Sequence, residues 1–255
     1  MLFFNIMHIR HRKILDILLR DGEFSIKRGA LELGVTEMTL RRDLRELEKE
    51  NLLLQVKGGA TFFPVGYFPD GINENANEKF CMARALANRI LPAETLFIGT
   101  GSTAFVFASY LARLRNRRMT VVTHSLAVAT ALYRSSCRVI MLGGELRPSS
   151  LDLTGAVAEK NLREYHVEYL VTSCDGALSE YGFYTSDPGL ANLEKNMIAV
   201  ADKVAVIAAS KKFAKPALTL FASCDDVDLV VSDSNLSDRD CANLRERNIE
   251  VIKAE

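Results

Sequence analysis

Residues 35–44 read Val35-Thr36-Glu37-Met38-Thr39-Leu40-Arg41-Arg42-Asp43-Leu44, and the periodicity of this decapeptide decides how the first quarter of the chain folds. Thr36 is a capping residue, which puts Glu37, Met38 and Thr39 in a first helical turn. Leu40, Leu44 and Leu47 recur at spacings of four and three, so they share one apolar face. Thr39, Arg41, Arg42 and Arg45 leave that face. A short helix with an apolar back, hydroxyl residues at its start and three arginines on its front suits a polyanion. The plainer alternative is a bundle helix with a solvated arginine face.

The flanking residues decide between the two. Ile14, Leu15, Leu18 and Leu19 mark a preceding helix, from about Ile9 to Arg20, stopped at Asp21-Gly22. Ser25 offers a second cap, and Ala30, Leu31 and Leu33 carry a second helix to Gly34, a residue for the tight turn into the third. Leu52-Leu53-Leu54-Gln55-Val56-Lys57 is β-prone and ends at Gly58-Gly59, which predicts a hairpin, or wing, beside the third helix. Three helices and a wing in this order are the layout of a winged helix-turn-helix, with the arginine helix reading DNA.

Bulk composition adds little to that argument. The 255 residues allow one large domain or two smaller ones, and 48% hydrophobic content is ample for a core. Lys and Arg number 32, as do Asp and Glu, so net charge does not point to nucleic acid. Residues 1–60 carry eleven basic against nine acidic side chains (+2), and the remainder 21 against 23 (−2). DNA binding is therefore indicated only by where the arginines stand. The cysteines at 81, 137, 174, 224 and 241 are odd in number, form no CxxC pair and do not cluster with the four histidines. A disulfide framework and a zinc site are both disfavoured, no cofactor is implied, and a reducing cytoplasm fits. The apolar stretch Met1–Met7 is too short for a signal-peptide core and is followed, rather than preceded, by Arg10, Arg12 and Lys13. No run approaches the roughly 20 apolar residues of a membrane span.

Between Thr61 and Asn77 lie Pro64, Gly66, Pro69 and Gly71 with weak periodicity, which reads as a linker. The expected division is a DNA-binding domain at 1–60, a linker at 61–77 and a second domain at 78–255. In the second, a helix from about Glu78 to Ile90 precedes the apolar β-run Thr95–Ile98. Further runs follow at 120–122, 139–142, 169–172, 204–208 and 229–231, with helical patterns between most of them. That alternation predicts an α/β domain with a mainly parallel sheet, and such sheets bind ligands beyond the carboxyl ends of their strands.

The loop after the first of these strands is Gly99-Thr100-Gly101-Ser102-Thr103, leading into an apolar helix from Ala104. Glycines let the backbone approach an anion. The hydroxyls of Thr100, Ser102 and Thr103 add donors, and the helix start adds partial positive charge. The loop is a candidate phosphate cradle, without the lysine of a P-loop or the spacing of a dinucleotide fingerprint. Other strand ends are polar as well: Thr123-His124-Ser125, Gly143-Gly144-Glu145, Ser173-Cys174-Asp175-Gly176 and Ser210-Lys211-Lys212. Each alone reads as a turn, but together on one edge of a sheet they predict a pocket.

Both halves resemble the DeoR family of bacterial transcriptional regulators. The first resembles it through Val35–Leu44 and Gly58-Gly59-Ala60. The second does so through Gly101-Ser102-Thr103, Thr123–Leu126, Gly143-Gly144 and Lys212-Phe213. The resemblance implies that Thr36, Glu37, Thr39, Arg41, Arg42 and Arg45 face DNA, with Lys57 of the wing on a phosphate. It implies a ribose-5-phosphate isomerase-like effector domain that senses a phosphorylated sugar, and a homo-oligomer that represses a carbohydrate-use operon. The chain departs from the pattern at several positions. Gln55 and Lys57 stand where arginine and histidine are usual, and Gly29 where the second helix carries a core leucine. Gly29 should cost about 1 kcal/mol relative to alanine and thin the packing. Gly99 replaces an aspartate, His124 an asparagine, and Ala209-Ser210-Lys211-Lys212 an Asp-x-Ser-Lys segment.

The rival reading is a sugar-phosphate isomerase, because Asn192-Leu193-Glu194-Lys195 resembles the segment carrying that enzyme's catalytic glutamate. Its Asp-Gly-Ala-Asp-Glu motif, however, stands here as Asp175-Gly176-Ala177-Leu178-Ser179, two carboxylates short, and the lysine expected nine residues before Glu194 is Thr185. Without these groups a base has nothing to stabilise an enediolate. Glu194 and Lys195 are therefore expected to form a structural or ligand-binding pair, with no catalytic residues. A scaffold that has lost both activities is a third reading, disfavoured by the Arg41-Arg42 pair and the phosphate loop.

Overall fold

The computed structural model describes residues 9–21, 23–49, 53–62, 75–91, 93–114, 118–133 and 135–255. Met1–Met7, Gly22, Leu52 and most of the expected linker lie outside the described residues. The chain divides between Asn73 and Glu74 into two compact units.

The first unit runs α1 (Ile9–Asp21), β1 (Glu23–Ser25), α2 (Ile26–Leu33), α3 (Glu37–Lys49), β2 (Leu53–Val56) and β3 (Gly59–Phe62). Each expected cap is made. Ser25 accepts from the Arg28 amide at 3.4 Å, Gly34 closes α2 at φ 66°, and Thr36 Oγ1 accepts from the Thr39 amide at 3.2 Å. Leu40, Leu44 and Leu47 are fully buried against Ile14, Leu18, Phe24 and Leu53. The wing pairs Val56 with Gly59, leaving Lys57-Gly58 as a two-residue turn with Gly58 at φ 87°.

Three expectations are corrected here. Gly29 does not thin the core, because a Cβ built on it would lie 2.2 Å from Cζ of Phe24. The Phe24 ring, itself buried, fills the space a leucine would take. Phe24 arrives there on β1, which pairs antiparallel with β3 and turns the wing into a three-stranded sheet of order β1-β3-β2. Leu31, one of the residues defining α2, points outward at 83% exposure, because the inward positions of α2 are Ile26 and Gly29. Thr61 and Phe62, assigned to the linker, belong to β3.

The second unit opens on α4 (Ala76–Ile90), two residues earlier than expected. There follow β4 (Thr95–Ile98), α5 (Ser102–Arg113), β5 (Thr120–Thr123), α6 (Leu126–Leu132), β6 (Arg138–Met141), and a hairpin of β7 (Glu145–Arg147) and β8 (Asp152–Thr154). Then come α7 (Gly155–Leu162), β9 (Val167–Thr172), β10 (Gly176–Leu178), β11 (Gly182–Thr185), α8 (Pro188–Ile198) and β12 (Ala201–Ile207). The chain ends with β13 (Thr219–Ser223), β14 (Leu229–Asp233), α9 (Asp238–Glu246) and β15 (Glu250–Ala254).

Seven strands form a parallel sheet of order β15-β14-β12-β9-β4-β5-β6. It is an α/β layered domain with a parallel sheet, as the alternation of runs implies. Alternate residues of each strand go to opposite layers. Phe97, Leu170 and Val206 pack with Ala158, Leu193 and Met197 on one side. Ile98, Val171 and Ile207 pack with Leu86, Phe107 and Leu111 on the other. Sheet order runs from β4 through β5 to β6 in one direction, and from β9 through β12 to β15 in the other. The direction reverses between β4 and β9, and at such a switch point the loops diverge and leave a crevice.

Candidate functional site

In the first unit, α3 carries its charges on the face turned from the core. Glu37, Met38, Arg41, Arg42 and Arg45 are exposed and Thr39 is half-buried. Arg41 lies 3.6 Å from Glu37, Arg42 Nε donates to Glu46 at 3.1 Å, and Arg45 Nε donates to the Arg41 carbonyl at 3.1 Å. Exposed pairs of this kind are each worth only a few tenths of a kcal/mol, so a phosphate can replace them at little cost. Lys57 is exposed at the tip of the wing.

The back of α3 is fastened differently. Arg10 donates through Nε and, at 2.8 Å, through a terminal nitrogen to the buried Asp43 carboxylate. Burial alone raises the Asp43 pKa, but the Arg10 guanidinium and then His11 outweigh it and hold the carboxyl below its ordinary value. His11 Nε2 lies 3.5 Å from Asp43 and 3.6 Å from Glu46. Their ligand atoms lie close enough together for a metal ion, but Arg10 already neutralises Asp43. Gln55, which stands where arginine is usual, is held within the unit. Its backbone amide and Nε2 donate to the two Glu48 oxygens at 2.7 and 2.6 Å, tying the wing to α3.

In the second unit, the Gly99–Thr103 loop sits at the β4–β9 switch point. Gly101 precedes α5 at φ 111° and no side chain caps the helix start. A Cβ there would lie 2.4 Å from Ser173 Oγ, which donates to the Thr100 carbonyl at 3.1 Å and so binds the loop to the end of β9. Thr100 and Thr103 are buried and Ser102 is half-buried. Gly99 has its own reason. A Cβ would stand 2.9 Å from Thr172 Oγ1, and that hydroxyl donates to Glu194 Oε1 at 3.2 Å.

Glu194 is only 3% exposed, and its Oε2 is buried without a hydrogen-bond partner. Burial pushes its carboxyl up to about 8; the Thr172 hydroxyl opposes this, Asp175 adds to it, and the group is protonated at neutral pH. Lys195 is exposed one residue further round α8. The two residues of the expected pair therefore point to different surroundings, since adjacent helical residues do not face each other.

His124 is wholly buried, its ring 6.1 Å from Phe97 and both nitrogens unpartnered. Burial lowers it to about 4, so it stays neutral. Leaving such atoms unpaired costs about 1–3 kcal/mol each. Ser125 is buried as the cap of α6, accepting from the Val128 amide at 3.4 Å. The hairpin covers His124 directly, because the Leu153 amide donates to the His124 carbonyl at 2.8 Å. Gly143 and Gly144 adopt φ 72° and 120° at the start of that hairpin. A side chain on Gly144 would strike the Thr154 carbonyl at 2.5 Å, so this glycine serves a close approach. Asp175 is exposed and accepts from the Ser186 amide at 2.8 Å, while Lys212 is half-buried on the turn after β12. The Ser210 amide at the start of that turn donates to Asp233 at 2.8 Å.

Sequence reasoning overlooked Arg147. On β7 it grips both oxygens of the fully buried Asp152 at 2.7 and 2.6 Å and also donates to Asp187. Asp187 caps α8 through the Gly189 and Leu190 amides at 2.7 and 3.0 Å. One guanidinium thus joins the hairpin over His124 to the helix that carries Glu194. The Pro148-Ser149-Ser150 run after Arg147 reads only as a turn, and no sequence signal announced the clamp.

A winged helix-turn-helix unit with an arginine face, joined in one chain to a parallel α/β unit with a glycine-hydroxyl loop at its switch point, defines a DNA-binding regulator with a sensor domain. The DeoR-like helix-turn-helix domain matches residues 10–64, and the DeoR C-terminal sensor domain matches residues 74–234. The chain belongs to the DeoR family of transcriptional regulators. It is 32% identical over 239 residues to the transcriptional repressor AccR of Agrobacterium fabrum, covering 91% of each chain. It is 30% identical over 247 residues to the uncharacterized HTH-type transcriptional regulator YulB of Bacillus subtilis, covering 95% of each. Among solved structures it is similar to ribose 5-phosphate isomerase A of Methanocaldococcus jannaschii, at 17% identity over 54% of each chain with a TM-score of 0.41. Among the described residues no helix is long and apolar enough to cross a membrane.

Proposed function

We propose that this regulator is a cytoplasmic repressor that binds operator DNA as a homo-oligomer and releases it when a phosphorylated sugar occupies the second unit. The DNA-binding domain expected at 1–60 extends through β3 to Phe62, the effector domain expected at 78–255 begins with α4 at Ala76, and the linker lies between them. The observation that carries the reading is the uncapped start of α5 behind Gly101, at the switch point of a parallel sheet, where backbone amides and the hydroxyls of Ser102 and Thr103 suit a phosphate. Thr36, Glu37, Thr39, Arg41, Arg42 and Arg45 meet the DNA with Lys57 on the backbone; Thr100 to Thr103 and Lys212 take the phosphate. An enzymatic role is not supported. Glu194 is buried and protonated rather than poised as a base, and the segment from Asp175 to Ser179 holds one carboxylate.

Coupling between the units requires the ligand to prefer one arrangement of the oligomer over another. Arg41→Ala and Arg42→Ala are expected to weaken operator binding and leave phosphate-induced thermal stabilisation intact. Ser102→Ala and Thr103→Ala should do the reverse. Loss of both properties in either set of variants would contradict the separation.

A further inference from the structure

The polar groups deepest in the second unit have no assigned task. Thr172 closes β9, and Gly99 is bare because its side chain would meet the Thr172 hydroxyl. That hydroxyl reaches Glu194, whose second oxygen is buried and unpartnered. Ser173, the next residue, is bound to the phosphate loop. The glutamate thus stands two contacts from the loop, at the place where β4 and β9 part. We propose that Glu194 is a hydroxyl-recognising residue of the effector site, and that the effector is a phosphomonoester whose far end is an uncharged polyol and not a carboxylate. This rests on the reading of Gly99–Thr103 as the phosphate cradle.

The charges around Glu194 select against an acid. Asp175 and Asp152 bear on it with negative charge and Arg147 with positive. The Arg147 guanidinium is already spanned by Asp152 and Asp187. A ligand carboxylate at this depth would join these acids with no cation of its own, and a buried unpaired charge is disfavoured far more than a hydroxyl. A neutral carboxyl side chain, in contrast, both donates to and accepts from a hydroxyl. The burial that keeps Glu194 protonated supports the same assignment.

The test uses the full chain at pH 7 and matched ligands that differ only at the end remote from phosphate. One pair is sorbitol 6-phosphate and 6-phosphogluconate; the other is erythritol 4-phosphate and 4-phosphoerythronate. Inorganic phosphate serves as the probe of the cradle alone. Titration calorimetry should show at least one polyol phosphate binding about tenfold or more tighter than its acid partner. Glu194→Leu, with Glu194→Met as a second variant of similar volume, should erase that preference while inorganic phosphate binds as before. Equal or tighter binding of the acids, or a preference that survives both variants, overturns the assignment of Glu194. If neither inorganic phosphate nor any phosphomonoester binds, the cradle reading itself fails, and this inference falls with it.

Discussion

The two units treat polar side chains in opposite ways. On the front of α3 the arginines are exposed and their contacts are single exposed pairs. In the second unit Glu194 and His124 are buried with atoms left unpartnered, and Asp152 survives burial through the Arg147 guanidinium and the Ser150 hydroxyl. An exposed charge exchanges water or a neighbouring carboxylate for phosphate almost freely, so one surface can move along DNA and settle. A buried polar atom has no such exchange partner, so it discriminates sharply between ligands and its loss is felt in stability. On the proposed reading, the first unit is organised for reversible contact with a polyanion and the second for selection of a small molecule.

The largest effect separating the units is expected at Arg147. Arg147→Met should destabilise the second unit by about 3–5 kcal/mol, because Asp152 is left buried without its cation. The melting transition of the first unit should not move, as two-transition calorimetry would show.

The next contrast lies in pH. Glu194 has its folded pKa raised to about 8 from 4.5, so the folded state holds a proton that the unfolded chain releases. Stability is therefore lost as pH rises through that window. His124 is lowered to about 4 from 6.5, so the unfolded chain takes up a proton first, and stability is lost as pH falls through its window. Between about pH 4.5 and 6.5 the two oppose each other. Glu194→Gln should flatten the alkaline decline, a gain of about 4 kcal/mol at pH 8 relative to the same comparison below pH 4.5, and His124→Asn should flatten the acid one. Denaturant midpoints across pH 4 to 9 would reveal either; parallel curves for wild type and variants would contradict the burial account.

In the first unit, Gly29→Leu should destabilise by about 1–3 kcal/mol, since the new side chain collides with Phe24. Combining it with Phe24→Ala should recover much of the loss. Stabilisation by the single change would mean the ring does not fill that space. Smallest of all, Arg42→Ala should alter stability by less than about 0.5 kcal/mol. Its effect should appear instead in DNA binding, where one lost phosphate contact lowers the salt slope by about 0.9.

Strong patterning made α3 and six of the seven strands of the parallel sheet readable from residues alone; β15, where Glu250 and Lys253 interrupt the apolar run, was not. Leu40, Leu44 and Leu47 repeat along a helix, and 95–98 and 204–208 are compact apolar runs. The glycine-hydroxyl loop was readable because glycine and threonine at a strand end have few other uses together. β1, β7, β8 and β10 were not, since three residues carry no periodic signal and their pairings are set by distant partners. Gly29 shows the consequence. Read along the helix it is a missing side chain, yet the group that fills its place comes from a three-residue strand. Arg147 was missed for a related reason: its carboxylate partners lie five and forty residues away, and only folding brings both to one guanidinium.

The most direct test of the central claim is selection of bound duplexes from the fragmented source genome by the purified full chain at about physiological salt, where specific sites outcompete non-specific phosphate contacts. The account predicts enrichment of a defined intergenic region, lost in Arg41→Ala and released by a phosphorylated polyol in wild type but not in Thr103→Ala. A folded protein that enriches no region, with or without such ligands, would contradict it.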